Sequence, residues 1–134
     1  VQLEVGEQAT PFEHRSFGEE LALCQRYHQR FGGTSYAGIA TGVQPNTTNA
    51  KFTLTYNTVM RSAPSISASP SVDNLNVTDR TAFDTDLSTF TGHVATTSSA
   101  YLSATYSASG STGRAILLVT KNGTSGEVVL DSEL

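Results

Sequence analysis

Tryptophan is absent from this 134-residue chain, cysteine occurs once and lysine only twice. A single cysteine excludes an intrachain disulfide. Eight Lys and Arg against twelve Asp and Glu leave a formal charge of −4, which argues against nucleic acid as a partner, since holding phosphates needs clustered cations. No apolar run approaches the roughly 20 residues of a membrane-spanning helix, and no charged-then-apolar leader precedes a cleavage site, so membrane insertion is not expected.

Motifs of familiar chemistry are missing as well. There is no Gly-x-Ser-x-Gly elbow and no phosphate-binding glycine loop ending in Lys-Ser or Lys-Thr. His14, His28 and His93 lie far apart, and Asp84-x-Asp86 lacks the third oxygen ligand and following glycine of a calcium loop. Asp79, Asp84, Asp86 and Glu127 offer carboxylates for glycoside hydrolysis, but nothing selects a pair, and the tryptophan that often lines such grooves is missing. The expectation is a protein that is not an enzyme, with no catalytic residue, metal or cofactor.

What is present is hydroxyl: Ser and Thr make up about a quarter of the residues, a bias toward strands, turns and a neutral surface. The exception is Ser16 to Phe31. Ser16 and Glu19 have capping-box spacing, acids fill the first turn, Arg26 and Arg30 lie near the end, and Gly32-Gly33 supplies a stop. Phe17, Leu21, Cys24, His28 and Phe31 recur at steps of 4, 3, 4 and 3, the seam of a coiled coil, leaving Gln25, Arg26, Gln29 and Arg30 to water. On this reading Cys24 is a buried small hydrophobe. The same pattern serves an amphipathic helix lying on its own sheet.

The segment VQLEVGEQATPFEHRSFGEELALCQRY resembles one near the C-terminus of many tailed-bacteriophage tail-fibre and related virion proteins. MRSAPSIS and the ending EVVLDSEL resemble further stretches of those proteins, whereas Ser69 to Thr120 has no such likeness. The resemblance implies a homotrimer on a virion appendage, made in the host bacterial cytoplasm and acting outside the cell alongside other phage tail proteins. It also implies attachment to a host-surface glycan or outer-surface protein. The alternatives are a purely structural trimerisation cap or, third, a polysaccharide depolymerase. In a trimer, Leu21, Cys24 and His28 would meet on the axis, and each copy would depend on its neighbours for part of its core.

Val1 starts inside an alternating pattern, Val1 to Val5, so a module of a longer protein is expected. After Gly33 the period becomes two, with strands expected at Ser35–Val43, Lys51–Tyr56, Ser65–Ser69, Val72–Val77, Tyr101–Ser107, Ala115–Thr120 and Glu127–Asp131. Phe52, Leu54 and Tyr56 should face the core and Thr53 and Thr55 should not. Asn122-Gly123 predicts a hairpin joining the last two strands. The fold expected is mainly β, an antiparallel, jelly-roll-like sandwich over 34–134, preceded by a strand and one α-helix forming a neck over 1–33.

The binding residues expected are Arg80, Phe83, Asp84, Asp86, Phe90 and His93, on a long exposed loop between Thr78 and His93. Tyr36, Tyr56, Asn74, Tyr101 and Tyr106 are further candidates, because aromatic faces with amides and acids nearby hold neutral sugars.

Overall fold

The computed structural model describes residues 15–107 and 110–132. The expected strand Val1–Val5 lies outside them. Among the described residues the fold is mainly β: one α-helix, then ten antiparallel strands in two sheets.

Helix α1 spans Phe17–Gln25. Its capping box is present, with the Glu19 N–H donating to Ser16 Oγ (3.3 Å) and the Ser16 N–H to the Glu19 carboxylate (2.9 Å). The Ser16 N–H and then the Ser16 hydroxyl, both donating to it, hold the Glu19 carboxyl below its ordinary pKa. The helix is shorter than expected. Residues His28–Gly32 form strand β1 instead, so His28 and Phe31 cannot extend a helical seam from Phe17, Leu21 and Cys24. The positive φ angles of Gly32 and Gly33 close a strand, not a helix.

The cause is Gln29, expected to face water but 3 % exposed. Its amide nitrogen donates to Gln25 O (3.0 Å), a free carbonyl at the helix end, and to Thr58 O (2.7 Å), while its oxygen accepts from the Asn57 N–H (3.0 Å). Burying Gln29 with Phe31 half-buried two residues on imposes a period of two. Cys24, expected buried, is exposed, because α1 buries no residue at all.

Strands β2 (Gly38–Val43), β3 (Asn49–Thr55), β4 (Ser65–Ser69), β5 (Leu75–Thr78), β6 (Asp84–Asp86), β7 (Thr89–Ala95), β8 (Ser99–Thr105), β9 (Ala115–Thr120) and β10 (Glu127–Asp131) follow. Three of the expected strands, β4, β9 and β10, have the expected ends. Polar turns set the hairpins. Asn46 Oδ1 accepts from the N–H groups of Thr48 and Asn49 before β3, and Thr96 Oγ1 accepts from those of Ser98 and Ser99 between β7 and β8.

The larger sheet has the order β6-β5-β9-β2-β3-β8-β7 and the smaller β1-β10-β4. β6 and β7 are the two edges of the larger sheet, yet only Leu87 and Ser88 separate them, so that sheet curls. β4 of the smaller sheet lies against β7: a Cβ on Gly92 would sit 2.8 Å from Ile66 Cβ. One core fills the space between, with Phe52, Leu54, Leu75, Val77, Leu102, Leu118, Val128 and Leu130 each at most 2 % exposed. Tyr56 joins them while Thr53 and Thr55 are exposed, as their alternation predicts.

Two expectations fail. The division at residue 33 does not hold, since β1 pairs with β10 from His28↔Asp131 to Gly32↔Glu127 and belongs to the β domain. Nor do the last two strands pair. The Asn122-Gly123 turn forms, with the Thr124 N–H donating to Lys121 O (3.2 Å), but β9 already has β2 and β5 as neighbours. The chain therefore crosses to the other sheet, where β10 sits between β1 and β4.

A candidate binding face

The expected loop from Thr78 to His93 is a turn followed by strands β6 and β7, and its residues are divided among three environments. Phe83 is buried, edge-on to the Tyr106 ring at 5.4 Å and under the Arg114 guanidinium at 5.3 Å, and Phe90 packs on the core. Phe83 is thereby closed off, whereas Phe90 stays half-buried. Asp84 accepts from the Asn76 amide and Asp86 from Lys121 Nζ.

Arg80 reaches Tyr36: its guanidinium donates to the Tyr36 carbonyl (3.0 Å) and lies 5.1 Å from the ring centroid. Both residues have positive φ, 62° and 58°, unusual for side chains with a Cβ. Arg80 follows the end of β5 and Tyr36 precedes β2, so their link crosses β9 on its outer side. Val119, which faces outward by register opposite Asn76, is fully buried.

Asp79 is a structural anchor. Its carboxylate accepts the N–H groups of Phe83 (3.0 Å), Thr81 (2.8 Å) and Ala82 (3.0 Å), bonds that hold its carboxyl well below the usual range, and it also pairs with Arg114 at 3.1 Å. No pair of carboxylates is left free and facing across a groove in this region, and among the described residues no cluster of His, Cys, Asp or Glu can hold a metal ion.

Of the expected set Arg80, Asp84, Asp86 and His93 are exposed; the first three are engaged by the contacts just described, while His93 stands on the outer face of β7. It lies edge-on to Tyr101 of β8, ring centroids 5.9 Å apart, and Tyr101 is 40 % exposed. The register builds outward around it. Tyr101 is opposite Thr53 on one side and Val94 on the other, and Thr53 is opposite Thr41, giving an outward row Thr41, Thr53, Tyr101, Val94 across four strands. A second row carries Val43, Lys51, Ser103 and Thr91. Lys51 Nζ donates to Ser103 Oγ (2.7 Å) and lies 5.5 Å from the Tyr101 centroid.

Beside Thr41 and Thr53 the face opens into a groove of about 340 Å³, lined also by Phe31, Ile39, Thr55 and Leu117. Its centre is two strand spacings from Tyr101, roughly 10 Å. Aromatic ring and hydroxyls share one outer face, and the groove leads from it toward the core, where Ala40 and Leu54 also line it. This arrangement suits a flat polyhydroxylated ligand, with apolar ring faces stacked on Tyr101 and hydroxyls bonded to Thr and Ser.

Sequence reasoning nominated Tyr101 and His93 but missed Lys51, Thr41, Thr53 and Ser103. The signal was there: once Phe52 and Leu54 point inward, Lys51 and Thr53 must point out. Set beside known proteins, the chain matches no family model, no curated protein and no solved structure.

Proposed function

We propose that this chain is an attachment module of a tailed-bacteriophage fibre or spike, a virion protein that holds a host-surface saccharide on the outer face around Tyr101. The observation that carries the binding reading is that face: a Tyr ring open to solvent on a continuous hydroxyl-lined sheet beside a groove. The likeness of the QLEVG, ATPFE and ELALCQRY stretches to tail-fibre proteins supplies the setting, outside the cell on a phage particle. Weak single sites would be multiplied by the copies on one fibre and the fibres on one particle.

The module works as a homotrimer joined through α1. Phe17 is 82 % exposed and Leu21 44 %, and with Cys24 they share one helix face that nothing in this chain covers among the described residues. The same observation favours the second reading, a trimerisation cap that binds nothing.

The test is adsorption of the purified chain to host cells, wild type beside Tyr101→Ala. Removing the ring is expected to lower affinity at each site about tenfold or more while leaving circular dichroism and solution mass unchanged. A wild-type trimer that adsorbs to no cell would favour the cap, and equal adsorption by the variant would remove this face from attachment.

A further inference from the structure

Acids are not spread evenly along the chain. No Asp or Glu occurs from Gly33 to Val72 or from Leu87 to Gly126, although an even spread would put more than half of the twelve there. Those two stretches supply β2, β3, β7, β8 and β9, the strands of the face around Tyr101, and every residue lining the groove except Phe31 of β1. Strand propensity does not explain it: the loops 44–48 and 96–98 are acid-free too, whereas β6, only three residues long, carries Asp84 and Asp86.

On that acid-free face stands Lys51. Arg30, Arg114 and Lys121 each pair with a carboxylate, but Lys51 has none among the described residues. Its ammonium has three donors; one is spent on Ser103 Oγ, and the cation is held beside the open Tyr101 ring. The other titratable groups on the face are His93 from β7 and Tyr101 itself from β8; β2 and β9 contribute none. An anion arriving here meets a positioned cation and no like charge on any strand it touches.

We propose that the face selects an acidic saccharide: a sugar ring stacked on Tyr101 with its carboxylate on the Lys51 ammonium, the adjoining unit lying in the groove between Thr41, Thr53 and Phe31. This rests on the attachment reading above and names the chemistry of its ligand. Charge complementarity chooses the occupant over a neutral saccharide, and a charge-assisted bond from a fixed ammonium is the stronger kind.

The test uses the full chain with short oligogalacturonate, oligosialic acid and alginate, each beside its carboxyl-reduced form. At least one acidic oligomer should bind about tenfold more tightly than its reduced counterpart, with the preference shrinking as salt rises and vanishing in Lys51→Met. That variant keeps the aliphatic stem, and its thermal midpoint is measured alongside to show that it folds. No preference for any acidic form, or a preference kept in Lys51→Met, would overturn the proposal. A change of solution mass in that variant would overturn it too, marking the face as a contact between copies. If Lys51→Met adsorbs to host cells like the wild type while Tyr101→Ala does not, the acidic ligand is wrong and attachment through this face survives. If Tyr101→Ala also adsorbs normally, the attachment reading falls with it.

Discussion

The hydroxyl of Tyr56 is buried with no hydrogen-bond partner, and burial pushes its pKa up to about 12 from an ordinary 10. The sign follows from linkage. A group that holds its proton more tightly when folded contributes stability below pH 10, and loses that contribution as pH rises toward 12. Tyr56→Phe removes both the unpaired hydroxyl and the titration. Its stability to urea at pH 7 should be equal to the wild type or up to about 1 kcal/mol higher, and its alkaline loss should be smaller. An unchanged alkaline limb would show that the phenol is solvated. Tyr106 is the contrast: its hydroxyl donates to Asn49 O (3.1 Å) and accepts from the fully buried Gln44 amide, so the same deletion there would strand a polar group. Gln29 shows the same physics at the helix end, where three satisfied bonds keep an amide in the interior.

Among the elements, β10 joins the most distant parts of the chain. It is the middle strand of the smaller sheet, and Val128 and Leu130 are fully buried against residues of the larger one. Leu130→Ala should cost about 2–5 kcal/mol through lost burial and the cavity left behind, read as a lower urea midpoint. A loss below about 1 kcal/mol would mean that β10 is not part of a single cooperative core. Helix α1 is the opposite case. It has nine residues and a complete capping box, but isolated helices shorter than about 12–15 residues are marginal in water. With no buried residue it draws little stability from the sandwich beside it. The trimer proposed above would cover that helix.

At the scale of the whole molecule, the apolar core closes within one copy, whereas the exposed apolar residues of α1 lie apart from it. In the proposed trimer, a contact confined to α1 would leave this core intact within each copy. Leu21→Asp should abolish a trimer by bringing three carboxylates to a dry seam. The resulting monomer should keep the wild-type β circular dichroism, because Leu21 is not part of the core. Light scattering checks the mass; a variant that stays trimeric would place the contact elsewhere on the molecule. Charge is segregated at this scale too. The acids of the described residues gather in α1, in 73–86 and on β10, leaving the Tyr101 face without a carboxylate and with a single lysine.

By itself the sequence determined what is local. Ser16 and Glu19 start a helix, Phe52 and Leu54 alternate inward against Thr53 and Thr55, and β4, β9 and β10 stand where apolar alternation put them. It could not separate helix from strand at His28–Gly32, whose few residues satisfy both periods until Gln29 is seen to be buried. It missed β6, three polar residues with no apolar period, and β7, where a bulge between Gly92 and Val94 breaks the alternation. Only Tyr101 and His93 of the candidate face were nominated, although alternation says which side chains leave the core. Tertiary structure decided the rest. Backbone hydrogen bonds are the same for every residue type, so nothing local tells β10 to leave β9 for β1 and β4, or brings Lys51, Tyr101 and His93 from three strands onto one surface.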